Sequence, residues 1–307
     1  MQAIKSVFKN RGKREPLTRL EKRQLPMVYL FLLPTIIIFL MFYITPILTV
    51  FYTGFTSWNG FNPPEWTGLR NYIRLFTRDT FKISMKNLLA WSAISMTLHV
   101  AIGTLVGFLM YHQFKGWKFV RAVYMIPNVI SGAAWAMIYK FVFNDEYGLL
   151  NNMIRKINPN FHVTWFYSSP AAFWAITFTW LFYAVIVSLI VLGDLMAIPQ
   201  ELHEAAYIDG ATTAQVTRYI DLPLSRIGIA TGVICSGTAR ISMYEAIALT
   251  TRGGPGKDTM SLSIQLVNSI TDYNYGMANA VGTVMFIIGI VMLVLIRSVF
   301  RMNESVY

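Results

Sequence analysis

Few side chains in this 307-residue sequence could do chemistry. The one cysteine, Cys235, excludes a disulfide framework and any cysteine-rich zinc or iron–sulfur site. The four histidines, His99, His112, His162 and His203, have no ligand spacing, so no metal is expected. His203 reads as part of a loop surface. The segment Gly253-Gly254-Pro255-Gly256-Lys257-Asp258 fails as a phosphate-cradling loop. Asp258 stands where Ser or Thr is needed and the upstream Gly is missing, so a Gly/Pro turn is expected. No nucleophile is paired with a base, and no catalytic residue is expected. Arg240 and Glu245 remain, two ionisable residues in an otherwise apolar stretch.

The composition explains why that stretch matters. The chain is 55% hydrophobic, 15% aromatic and only 13% charged, against about 25% charged in soluble domains. It is neither an ordinary soluble domain nor a disordered one. Long windows without Asp, Glu, Lys or Arg place six apolar spans at about 27–51, 88–111, 122–143, 171–192, 227–249 and 277–296. The expectation is an all-α membrane protein. A basic segment, 1–26, precedes a six-helix domain, 27–300, and a short tail, 301–307, follows. The first apolar run is too long for a cleaved signal, and no small-residue cleavage site follows it.

The net charge of +11 is unevenly placed. Residues 1–23 hold eight basic and two acidic residues, which puts the N-terminus in the cytoplasm. With six spans the C-terminus lies there too, in agreement with Arg297, Arg301 and the basic 112–121 loop. On that side the sequon-like Asn303-Glu304-Ser305 carries no meaning. The first external loop disagrees, with Arg70, Arg74, Arg78, Lys82 and Lys86 four residues apart. That spacing suits one face of an interfacial helix, or a solvated charged face. The excess charge thus reads as an orientation signal rather than a nucleic-acid surface.

Polar groups inside the spans are costly and mark function by default. Arg240 lies 14 residues beyond Arg226, about 21 Å along a helix and so in the outer half of the bilayer. It either lines a pathway or pairs with a carboxylate or reaches outward. Glu245 falls at the outer interface. Asn128, Trp135, Trp180, Tyr183 and Tyr244 could add aromatic faces and hydrogen bonds to a polar solute, although interface belts and packing explain most such aromatics. The pairs Gly103/Gly107 and Gly228/Gly232 allow close helix approach, within the bundle or against a second chain. Pro127 is expected to kink the third span.

Residues 193–226, internal on this topology, hold five acidic and two basic residues. Such a loop does not set orientation, and a docking surface is the better reading. Pro199 suits the first position of a helix that carries Glu201 and Glu204 near its positive end. Gly210 can end it in the left-handed conformation. Thr212 and Gln215 fit a capping box for a second helix, which Pro223 stops, with Leu222 pushed toward extended geometry.

The pattern Glu204-Ala205-Ala206, then Gly210, then Ile220-x-Leu222-Pro223 resembles the EAA loop of ABC-importer permeases. The likeness extends through Gly68-Leu69-x-Asn71-Tyr72, Pro127 and Gly148-Leu149-Leu150-Asn151. It continues through Leu249-Thr250, Gly253-Gly254-Pro255 and Gly276-Met277-Ala278-x-Ala280, which resemble the first membrane subunit of maltose-type systems. The resemblance implies a type I permease bundle in a bacterial or archaeal plasma membrane. It implies a second permease, two cytoplasmic ATPases that use ATP and Mg, and an extracytoplasmic binding protein that delivers a sugar. It casts Glu201, Glu204, Ala205, Ala206, Asp209, Gly210, Ile220, Leu222 and Pro223 as the ATPase-coupling residues. No cofactor is then expected on this chain. The same machinery importing glycerol phosphate or another polar solute also fits. A stand-alone secondary transporter fits less well, since it calls for an inverted repeat or several buried ionisable groups.

Overall fold

A computed structural model describes residues 19–300, with side chains from residue 26. The segment 1–18 and the tail 301–307, with Arg301 and Asn303-Glu304-Ser305, lie outside the described residues. The chain divides into two compact units, residues 1–52 and 53–307.

The described residues of the first unit are helical: α1 (Arg19–Phe39), a π-turn (Leu40–Ile44) and α2 (Thr45–Thr53), whose last residue opens the second unit. Pro26–Thr53 forms a 28-residue apolar helix. Its large side chains, Phe31 and Leu30 among them, are exposed. A helix that is apolar on all sides is built to be surrounded by lipid or protein.

The second unit begins with a short antiparallel pair, β1 (Thr56–Ser57) and β2 (Glu65–Trp66). Then come α3 (Arg70–Thr77) and α4 (Asp79–Ile94), which continues through a π-turn into α5 (Val100–Tyr111). Next are α6 (Trp117–Met125), α7 (Gly132–Val142), α8 (Leu149–Arg155), α9 (Ala171–Leu181) and α10 (Val185–Met196). The loop helices are α11 (Gln200–Ile208), α12 (Thr213–Val216) and α13 (Leu222–Leu224). They are followed by α14 (Arg226–Ile241), α15 (Glu245–Ala248), α16 (Leu262–Thr271) and α17 (Tyr275–Val299).

Among the described residues four helices are long and apolar enough to cross a membrane: Pro26–Thr53, Asp79–Tyr111, Ala171–Met196 and Tyr275–Val299. Two expected spans have a different form. Residues 122–143 are not one helix, because Trp117–Val129 and Gly132–Val142 meet at 109°. Pro127 sits in a 3₁₀ turn, Ile130 and Ser131 are extended, and the Ser131 hydroxyl caps α7 by accepting from Ala134 N–H. A second capped start replaces the expected kink. Residues 227–249 are also divided, since α14 ends at Ile241 and α15 is a separate short turn. The cationic stripe expected from Arg70 to Lys86 is likewise broken. Arg78 is extended between α3 and α4, and Tyr72 and Leu75 of α3 are buried.

Helix α10 occupies the centre. Val187, Val191 and Leu195 are buried in one cluster with Val100 of α5 and Val233 of α14. Both glycine pairs face it. A Cβ on Gly103 would lie 2.7 Å from that of Val187, and one on Gly232 would lie 2.9 Å from the Val187 Cγ1. The small residues therefore bring α5 and α14 onto α10 within the bundle. Gly103→Val should overpack this seam and cost about 1–3 kcal/mol. The check is the thermal midpoint of the purified chain in detergent, which should fall for Gly103→Val. It should hold for Gly193→Ala, where nothing lies within 4 Å of the added methyl.

Candidate functional site

Two regions gather the chemistry-bearing residues: the loop after α10 and a cavity beside the break between α9 and α10. The loop is a compact elbow. Pro199 is the N-cap of α11 rather than its first residue, so helical geometry begins at Gln200. Glu201 and Glu204 lie on that helix and are exposed, and Gln200 Nε2 donates to Glu204 Oε1 at 2.8 Å. Leu202, Tyr207 and Ile208 are exposed as well. Gly210 ends α11 with φ +81°, and nothing within 4 Å would hinder a Cβ there. The left-handed backbone, not lack of space, calls for glycine.

The capping box of α12 is present: Gln215 N–H donates to Thr212 Oγ1, and Thr212 N–H to Gln215 Oε1 at 2.7 Å. Beyond it the expectation fails. Leu222 is helical (φ −65°, ψ −45°) and Pro223 does not end the chain's winding. Thr217–Asp221 forms a π-turn in which Leu222 N–H donates to Thr217 O. The wider turn accommodates a proline that has no N–H to offer. The turn closes at Ser225, where α14 begins.

The five acidic residues of the loop separate into two kinds. Glu201, Glu204 and Asp209 are exposed. Asp194 Oδ2 accepts the Gly228 N–H at 2.5 Å, and so caps α14 from a neighbouring helix. Asp221 is entirely buried. His203 Nε2 donates to Asp221 Oδ1 at 2.7 Å, which makes His203 a half-buried partner and not a surface residue. Spacing in sequence gives no sign of either inward-facing aspartate, because each partner lies at least 18 residues away.

The second region is built on buried helix ends. The last carbonyls of α9 have no helical partner. His99 Nδ1 donates to Leu181 O at 2.9 Å and Trp135 Nε1 to Thr179 O at 2.7 Å. The Ala184 N–H, at the start of α10, donates to the Tyr124 hydroxyl at 2.9 Å. Tyr183 lies in the break, and its hydroxyl donates to Asn128 Oδ1 at 2.9 Å.

Asn128, Trp180, Tyr183 and Arg240 line one cavity of about 150 Å³ with His99 and Ser236. The Arg240 guanidinium stacks on Trp180, 4.1 Å from the ring centroid. Among the described residues no carboxylate pairs with it, and its NH1 donates only to Met243 Sδ at 3.7 Å. Arg240 Nε, Trp180 Nε1 and Ser236 Oγ are buried with no hydrogen-bond partner. Trp135 shares a neighbouring cavity of about 320 Å³ with Tyr183. Tyr244 and Glu245 are not brought to this cavity. They line a separate one with Arg252, and the Glu245 carboxylate packs on Gly132 at the start of α7.

Residues 99–306 match the family of binding-protein-dependent transport system inner membrane components. The chain belongs to this family. It is 29% identical to the trehalose/maltose transport system permease protein MalF of Thermococcus litoralis, over 88% of this chain and 92% of that protein. It is 30% identical to the multiple sugar-binding transport system permease protein MsmF of Streptococcus mutans, over 87% of this chain and 93% of that protein. Its fold matches a chain of a bacterial alginate ABC transporter solved with an alginate-bound periplasmic protein. The TM-score there is 0.76 at 23% identity, over 92% of this chain and 96% of that one. The chain is therefore a membrane component of an ABC import system, in which a solute-binding protein takes part.

Removing the Asp194 cap should leave the Gly228 N–H buried without a partner. Asp194→Ala is expected to destabilise the chain by about 1–2 kcal/mol. The same detergent melt reads it, with Asp209→Ala on the exposed loop as the unchanged control.

Proposed function

We propose that this chain is the permease subunit of an ATP-driven importer that takes up a carbohydrate handed over by an extracytoplasmic binding protein. The observation that supports a hydroxyl-rich solute most directly is the Arg240 cavity. Three buried polar groups with no partner converge there beside the face of Trp180. Buried polar groups that lack partners in the protein are what the hydroxyls of a sugar would satisfy. Arg240 carries no carboxylate partner among the described residues, so an acidic sugar or a phosphorylated polyol also fits. The names of the sugar-transport relatives favour carbohydrate.

In this reading the chain has six spans with both termini cytoplasmic. The bent pair α6–α7 and the divided segment α14–α15 serve as the third and fifth spans. Glu201, Glu204, Ala205, Ala206, Asp209 and Gly210, with Ile220, Leu222 and Pro223, form the surface that docks on cytoplasmic ATPases. Those ATPases, not this chain, bind ATP and Mg. A second permease completes the pathway, and Asn128, Trp180, Tyr183 and Arg240 line it on this side. Trp135 supports it through the α9 end, and Tyr244 and Glu245 lie on its outer flank.

Co-purification tests the assembly: tagged chain should bring out a second permease and ATPase subunits, and isolation of the chain alone would sink the reading. Glu204→Lys should abolish uptake and release the ATPases while the chain still inserts in the membrane. Unchanged uptake in that variant would remove the docking assignment. Arg240→Gln and Trp180→Phe, which keeps a ring but loses the N–H, should each weaken sugar uptake by about tenfold, the weight of one lost buried polar contact. ATPase docking, read by co-purification, should be retained in both.

A further inference from the structure

The proposed docking loop must pass force from α11 into the membrane helices, and a helix joined only by its ends would pivot instead. A lateral tie is present at one residue that the family-like pattern leaves open, the position between Ile220 and Leu222. Asp221 is entirely buried at the end of the π-turn. Its Oδ1 accepts from His203 Nε2 of α11 at 2.7 Å. Its Oδ2 has no hydrogen-bond partner and lies 3.5 Å from His112 Nε2, at the C-terminal end of α5. That same His112 nitrogen is 3.1 Å from Thr217 Oγ1, on the π-turn. One carboxylate thus stands between the loop helix, the π-turn that leads to α14, and the end of α5.

We propose that Asp221 is the positioning residue of the docking loop, locking α11 to the helix bundle through His203 and engaging His112 when the loop is pushed inward. The inference rests on the docking role assigned to α11. The physical reason is the cost of a buried carboxylate oxygen without a donor. One arm of the clamp is closed and the other is only a short approach away. Movement of α11 relative to α5 then changes how many donors the carboxylate has, and this couples loop position to the bundle. His203 holds its proton on Nε2, since a carboxylate oxygen can only accept.

The test uses the whole transporter, with its ATPases, second permease and binding protein, in proteoliposomes. Solute imported per ATP hydrolysed is the readout, beside co-purification of the ATPases. His203→Ala should lower that ratio by about tenfold, the weight of one charge-assisted hydrogen bond, with the ATPases still bound. His203→Gln, which keeps an N–H donor near the same place, should restore the ratio to within about twofold of the parent. His112→Ala should lower it as well. An unchanged ratio in His203→Ala overturns the proposal, and so does a His203→Gln variant as impaired as the alanine. Loss of the ATPases in His203→Ala also overturns it, since the residue would then serve docking and not positioning. Glu204→Lys run in parallel separates the two ideas. If Glu204→Lys leaves uptake intact, the docking role itself fails.

Discussion

An apolar chain has little water to satisfy its backbone, so every interrupted helix must find hydrogen-bond partners within the protein. The structure depends on this constraint at each of its breaks. Between α9 and α10 the freed carbonyls of Thr179 and Leu181 are taken by Trp135 and His99, and the Ala184 N–H by Tyr124. Between α14 and α15 the Met243 carbonyl accepts from Ser263 Oγ at 2.6 Å. At the start of α14 the Gly228 N–H goes to Asp194. In each case the partner comes from a different element, so the break fixes how the helices stand against one another.

The same device holds the loops. Asn71 Nδ2 donates to the carbonyls of Gly54 and Thr56, Asn87 Nδ2 to those of Asp258 and Met260, and Asn151 Nδ2 to those of Asp145 and Val163. A primary amide has two N–H groups in fixed geometry and can close two strands of a loop at once. Asn71 and Asn151 had stood out only as parts of a family-like pattern. Their structural work gives that pattern a physical meaning.

Polar groups gather at the breaks for a related reason. An unbroken helix spends its backbone groups on itself and buries its apolar side chains. Where α9 stops, Tyr183 is freed from helical geometry and reaches Asn128, and Trp180 presents a ring face to Arg240. Arg240 Nε, Trp180 Nε1 and Ser236 Oγ are left without hydrogen-bond partners there, on residues that line the cavity. On the other end, the π-turn at Thr217–Asp221 turns Asp221 inward between two histidines.

Several features followed from the sequence because they rest on local rules. The apolar windows gave the long helices, the capping box gave α12, and Gly210 gave the left-handed end of α11. The spacing of Glu204, Ala205, Ala206 and Gly210 pointed to the family. Breaks inside the apolar segments were less legible. Hydropathy measures only how apolar a window is, and a bent pair such as α6–α7 scores like one helix. The roles of Asp194, Asp221 and His203 were hidden for a further reason: composition counts a carboxylate as surface charge, while its burial depends on donors from distant segments. Sequence alone therefore determined where the long apolar helices lie and which family this chain joins. Only the tertiary structure decided that Arg240 stacks on Trp180 and that Asp221 faces inward, because those contacts join residues 60 and 18 or more positions apart.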